Sequence, residues 1–191
     1  MSRKIQHESK KYTPKQLFDL VAASINNGET RFPFPYETST WQPVFIKLFR
    51  KLGEDSGYKV MRDMEWFKID CPWIIDLPDH RIVELLMEHQ DDDKVESAIH
   101  DVRKLGDIKA HIKVIIYFPD FKDIDNHLKR ISAEIRRTND EIKQVPSEKW
   151  LVIGIKNVPK GKITFRGYEF TSDGIYTLIG SREFEENSIK D

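Results

Sequence analysis

The chain has 191 residues, 39% hydrophobic and 33% charged, with a formal net charge of −1. That length suits one ordinary domain with a real core, and the balance of signs argues against a disordered tail protein or a strongly basic nucleic-acid packager, while leaving local basic patches open. Cys71 is the only cysteine, so no internal disulfide or thiolate metal cluster is available, and a reducing cytoplasm is the expected location.

In chain order, Thr13 predicts a cap for a helix over 14–26, with Gly28 as its stop. "RFPFPYETST" reads as an extended connector, because proline disfavours helix at the preceding residue. A second helix follows over 43–52, capped by Ser39 or Thr40, with Val44, Phe45, Leu48, Phe49 and Leu52 on one apolar stripe. Strands are expected over 58–66, 68–75 and 81–89, the last two joined by the turn "LPDH". The period then changes to helical at Val95, Ile99, Val102 and Leu105, and Asp93 with Glu96 suggests a capping box. "HIKVIIYF" suits a buried central strand. Ile124, Leu128, Ile131, Ile135 and Ile142 mark a long amphipathic helix, "KWLVIGI" a further buried strand, and "GKITFRGYEFTSDGIYTLIG" a hairpin turning at Asp173-Gly174.

The expected class is α/β, with a mixed central sheet flanked by helices on both faces and a C-terminal β-hairpin over 161–180. One domain over 1–191 is expected, its core at about 41–156 and an N-terminal helix at 13–27. The strand ending at His89 is expected to run parallel to the strand containing Val114, with the intervening helix as crossover. No run approaches membrane-spanning length, and "MSRKIQHESKKY" carries no apolar signal region, so no membrane partner is expected.

The chemistry concentrates at "RIVELLMEHQDDD". If the preceding turn is centred on Asp79, Asp70 lies nine residues before the centre and Glu88 nine after, which makes them cross-strand partners on one face. Gln90 shares that face and His89 points away. Two facing carboxylates need a proton or a cation between them. The oxygen-rich donors favour Mg²⁺, with Mn²⁺ as an acceptable substitute and the backbone carbonyl of His89 as a third ligand. Asp91, Asp92 and Asp93 read instead as a helix N-terminus favoured by the dipole.

Asp70, followed eighteen residues later by Glu88-x-Gln90 within a helix, three-strand meander, helix and strand, resembles the PD-(D/E)xK nuclease superfamily, the fold of many type II restriction endonucleases. The resemblance covers roughly 41–118, and "MEHQDDDKVESAIHDVRKLGDIKAHIKVIIYF" is also similar to restriction-endonuclease-like proteins whose strand ends in a Glu-His-Glu-Asn-like motif. It implies a restriction-endonuclease-like fold and a Mg²⁺-dependent endonuclease hydrolysing DNA. Asp70 and Glu88 would be metal ligands and Gln90 the third catalytic residue, positioning water. A homodimer is compatible with it, since cutting both strands needs two sites. The third position usually holds Lys, and a Gln amide can only hydrogen-bond. Lys94 or Lys104 on the following helix could supply the missing charge. Pro72 removes a ladder donor two residues after Asp70 and implies a bulge or irregular edge there. Glu84, on the Glu88 face four residues deeper, and Glu54, late in the second helix, are further candidate acids.

For the substrate, Lys149, Lys156, Lys160, Lys162 and Arg166 offer positive charge at "NVPKGKITFRG", where Lys156, Lys160, Lys162 and Arg166 are the candidate phosphate contacts. Arg103, Lys104, Lys109 and Lys113 form a second basic stretch, and either could be plain solvated surface. Two readings compete with the nuclease. One is a non-catalytic nucleic-acid-binding or protein-interaction module on the same fold. The other is an assembly subunit, which needs an exposed apolar stripe on the long helix.

Overall fold

In the computed structural model, which describes residues 9–30, 32, 40–61, 68–142, 148–158 and 162–185, helix α1 spans Pro14–Asn26. Its capping box is reciprocal: Gln16 N donates to Thr13 Oγ1 at 3.2 Å, and Thr13 N donates to Gln16 Oε1 at 2.8 Å. Helix α2 spans Gln42–Asp55 and starts at Trp41 without a side-chain cap, one residue earlier than its apolar stripe suggests. Thr40 therefore does not cap it, and Ser39 lies outside the described residues. Strand β1 is Lys59–Val60, and 62–66 of the expected strand lie outside the described residues. Strand β2 spans Cys71–Asp76. It begins later than expected because Lys68 holds a left-handed φ of 55°, which turns the chain before extension can start.

Strand β3 spans Arg81–His89, helix α3 Val95–Gly106, strand β4 Ile112–Tyr117, helix α4 Ile124–Ile142, and strands β5, β6 and β7 cover Lys149–Val158, Lys162–Thr171 and Tyr176–Glu185. The expected Asp93–Glu96 capping box does not form. Lys94 is the N-cap, and Asp92 does the local bonding, accepting from Lys94 N at 3.2 Å and Ser97 Oγ at 2.7 Å. The C-terminal hairpin turns through Gly174, with φ of 79°, where a side chain would be strained.

The strands form one sheet in the order β1-β2-β3-β4-β5-β6-β7. The pairs β3–β4 and β4–β5 are parallel and the others antiparallel, so helices α3 and α4 serve as the two crossovers. The chain is thus a mixed α/β protein with apolar clusters on both sheet faces. One gathers α1 and α2 over Leu85, Met87, Val114, Ile116 and Ile153. The other gathers α3 and α4 over Leu86, Ile115, Tyr117, Val152 and Phe170. The apolar stripe of α4 (Ile124, Leu128, Ile131, Ile135) is buried, which removes the feature an assembly subunit would present. No helix among the described residues is long and apolar enough to cross a membrane.

The β2–β3 register sets the site. Leu77 N donates to His80 O, so the turn centres between Pro78 and Asp79, half a residue off the expected centre, and Asp76 pairs with Arg81. The register shifts beyond Ile74↔Val83, and Trp73 faces Leu85, leaving Glu84 as the extra residue of a bulge. The two offsets cancel. Cys71 faces Met87, and one more step puts Asp70 opposite Glu88. Pro72 keeps regular register with Leu86 and lies just past the end of the β1 ladder at Trp73, where a missing donor is tolerated.

Helix α1 docks by setting Phe18 on Gly167 and Gly180, which are partners across β6–β7. A Cβ on Gly167 would sit 2.5 Å from Phe18 Cδ2. On β4, two residues before the Ile115 that is in register with Glu88, Lys113 is fully buried, with Nζ 2.7 Å from Glu148 Oε1 and 4.8 Å from the Trp150 ring. Burial pushes Lys113 down and Glu148 up, each opposed by the partner's charge.

Urea denaturation at pH 7 is expected to show two effects. Gly167→Ala should cost about 1–3 kcal/mol through the forced shift of Phe18. Lys113→Met should cost about 3–5 kcal/mol by leaving Glu148 buried and alone, and Lys113→Met combined with Glu148→Leu should recover most of that loss. A double variant no better than the single one would contradict the ion-pair account.

Candidate functional site

The site forms where β3 ends. Gln90 N donates to Ile116 O at 2.8 Å, toward β4, and His89 N points the other way, donating to Asp70 Oδ2 at 3.0 Å. The N–H and C=O of a strand residue point to the same neighbour, so the His89 carbonyl also lies on the Asp70 side. Glu88 Oε1 reaches back to Asp70 N at 3.2 Å. The structure thus brings Asp70 and Glu88 together, with the His89 backbone between them. The His89 ring lies on the opposite face, 5.3 Å from Phe45 and 5.6 Å from Phe118 between ring centres.

Helix α3 covers Glu88. Lys104 Nζ lies 2.7 Å from Glu88 Oε1 and also donates to Lys68 O. The left-handed turn at Lys68 aims that carbonyl at the helix. One turn earlier on α3, Asp101 Oδ2 accepts from Gln90 Nε2 at 2.7 Å. From α2, Gln42 Nε2 donates to Asp70 Oδ1 at 3.0 Å. Gln42 and Asp101 escaped the sequence reading. Asp101 leaves a signal, a charged residue within the buried stripe Ala98, Val102 and Leu105. Gln42 leaves none, because its partner is 28 residues away.

Burial pushes the Glu88 carboxyl up to about 8, with the Asp70 charge adding to the rise and Lys104 opposing it. Burial likewise lifts Asp101 to about 6 against the Gln90 hydrogen bond and lowers His89 to about 4, so its imidazole is neutral. Asp91 Oδ1 is 3.3 Å from His89 Nδ1, yet neither ring nitrogen has a well-aligned hydrogen bond. The proximity is therefore not an ion pair. Asp91 is raised by burial and by the Asp70 and Asp92 charges.

Of the other expected residues, only Lys104 joins the carboxylates. Lys94 is exposed at the start of α3. Glu54 is exposed near the far end of α2, twelve residues and about 18 Å of helix from Gln42. Glu84 is buried at the bulge, about 13 Å down β3. The bulge breaks the alternation there, so the expectation that Glu84 shares the Glu88 face fails. Its charge instead raises Tyr58, a member of the α1–α2 cluster.

The second basic stretch disperses, since periodicity sends its members in different directions. Arg103 bonds Glu134, Lys104 bonds Glu88, and Lys113 is buried on Glu148. Lys149 pairs with Glu169. Lys156 and Arg166 remain together, with Nζ 5.8 Å and Cζ 4.5 Å from the Phe121 ring. Gly154 lets that loop sit close, for its Cβ would lie 3.2 Å from Pro119 and 3.3 Å from Phe121. Lys162 is exposed, and Lys160 lies outside the described residues. Lys156 sits two strands over from Glu88, about 10 Å sideways, and four residues, about 13 Å, beyond Val152, the β5 residue level with Glu88.

Among the described residues no three His, Cys, Asp or Glu side chains gather into a ready-made metal cage. The donor set is two carboxylates with the His89 backbone carbonyl on the same side. This all-oxygen chemistry fits Mg²⁺ or Mn²⁺, which take one or two carboxylates and complete their shells with water and phosphate. No protein-family model matches the chain, and no curated protein matches it.

The shifted carboxyl has a measurable sign. Glu88 titrates near 8 when folded and near 4.5 as a free group, so the folded state holds extra protons between those values. Its contribution to stability is lost as pH rises through that window. His89 acts oppositely between about 4 and 6.5. Glu88→Gln isolates the first effect. Its unfolding free energy is expected to gain progressively on the parent's from pH 5 to 8.5, by up to a few kcal/mol, and a constant difference would refute the strained carboxyl.

Proposed function

We propose that the chain is a Mg²⁺-dependent endonuclease of restriction-endonuclease-like fold that hydrolyses DNA phosphodiester bonds. One observation carries the reading: two carboxylates from the paired ends of one hairpin, Asp70 and Glu88, meet beside the ammonium of Lys104. The antiparallel β2–β3 hairpin feeding a parallel β3–α3–β4 unit supports the fold assignment.

In this reading Asp70, Glu88 and the His89 carbonyl hold Mg²⁺ or Mn²⁺. When bound, the ion polarises the scissile phosphate and lowers the pKa of a water. Gln90 orients the attacking water by hydrogen bonding. Lys104 lends positive charge to the phosphate as negative charge develops, the role a Gln amide cannot fill. Lys156, Lys162 and Arg166 hold neighbouring phosphates and set the register of the strand. A homodimer would give each strand its own site.

A second reading is a non-catalytic nucleic-acid-binding or protein-interaction module on the same fold. The specific observation favouring it is that Lys104 already answers the Glu88 charge without any metal.

Plasmid cleavage with Mg²⁺ or Mn²⁺ separates the two. The parent is expected to nick or linearise DNA, Glu88→Ala to abolish cleavage, and Lys104→Met to slow it by about 10²–10³. Intact plasmid, linear duplex and single strand with the parent in both metals would remove catalysis and leave the binding module.

A further inference from the structure

Gln90 is held by α3. Its Nε2 donates to Asp101 Oδ2 at 2.7 Å, and Asp101 is 1% exposed. A carboxylate accepts hydrogen bonds and donates none, so only the nitrogen end of the amide can face it. The carbonyl end, Oε1, is left over and accepts no hydrogen bond among the described residues. Asp101 has its Oδ1 buried without a hydrogen-bond partner among the described residues, and beyond the Gln90 bond the Lys104 and His100 charges favour its ionised form. It stands in a stripe with Ala98, Val102 and Leu105, where an apolar residue would avoid desolvating a charge.

We propose that Asp101 is a positioning residue. It occupies the nitrogen of Gln90, so that Gln90 meets a hard divalent cation, or the water on it, with its carbonyl oxygen. This rests on the cation site proposed above and assigns its third side-chain oxygen. It also divides the work of the usual lysine, with Gln90 supplying an acceptor and Lys104 the positive charge.

Mn²⁺ titration followed by electron paramagnetic resonance tests it on the parent, Gln90→Leu, Asp101→Leu and the double variant. Each single change is expected to weaken Mn²⁺ binding about tenfold or more. The double variant should bind no more weakly than either single one, because Asp101 acts through Gln90. Asp101→Leu should also melt at a higher temperature without metal, which a residue serving only structure would not do. Losses that add, or unchanged affinity in Asp101→Leu, would overturn the proposal. A measurement on the parent alone stands beside this. In amide-resolved NMR, the Gln90 side-chain NH₂, assigned by its disappearance in Gln90→Leu, should show one proton protected from exchange, and free exchange of both would overturn the proposal. No Mn²⁺ binding by the parent would overturn this inference and the metal site together. Mn²⁺ binding with coupled losses but intact DNA would sink the nuclease reading and uphold this one.

Discussion

A carboxylate buried beside a second carboxylate has to be balanced, and the end of β3 is built around that demand. Glu88 is 4% exposed and close to Asp70, so burial and like charge both push its proton affinity up. Water cannot relieve the repulsion there. Three groups do so instead. The Lys104 ammonium sits on Glu88, while the His89 backbone N–H and the Gln42 amide take the two oxygens of Asp70. Burial remains the largest push on Glu88, and Lys104 opposes it without reversing it.

Helix α3 is the element that makes the arrangement possible. Its apolar stripe must cover the sheet between β3 and β4, and that packing fixes its rotation and height. Asp101 and Lys104, one turn apart, then fall over the strand end. One stays against the core and holds Gln90, and the other reaches the surface and holds Glu88. The crossover that satisfies the topology thus also delivers the charges. Two residues back along β4 lies the contrasting case. There Lys113 and Glu148 bury one pair of opposite signs, a local solution that leaves no excess negative charge.

Strands β5 and β6 carry the remaining basic groups. The loop after β4 drops onto Gly154, and Phe121 gives Lys156 and Arg166 a common apolar surface. That keeps two cations together without an acidic partner between them, whereas Lys149 and Arg103 are taken up by Glu169 and Glu134.

Periodicity and turn chemistry alone determined the element order, the parallel relation of the strands ending at His89 and containing Val114, the C-terminal hairpin at Gly174, and the meeting of Asp70 with Glu88. These are local signals, readable because a strand alternates and a helix repeats over a few residues. The meeting was legible for a partly mistaken reason, since the turn centre was off by half a residue and the bulge at Glu84 restored the register. A bulge depends on packing on both faces, and no local pattern announces it. The tertiary structure alone decided that Gln42 reaches Asp70 from 28 residues away, that Asp101 holds Gln90, and that Lys104 rather than Lys94 faces Glu88. It likewise scattered the basic stretch of Arg103, Lys104, Lys109 and Lys113. The physical reason is the same in each case. A side chain's partner is set by where whole elements dock, and docking is decided by the burial of apolar surface far from the polar atoms it happens to align.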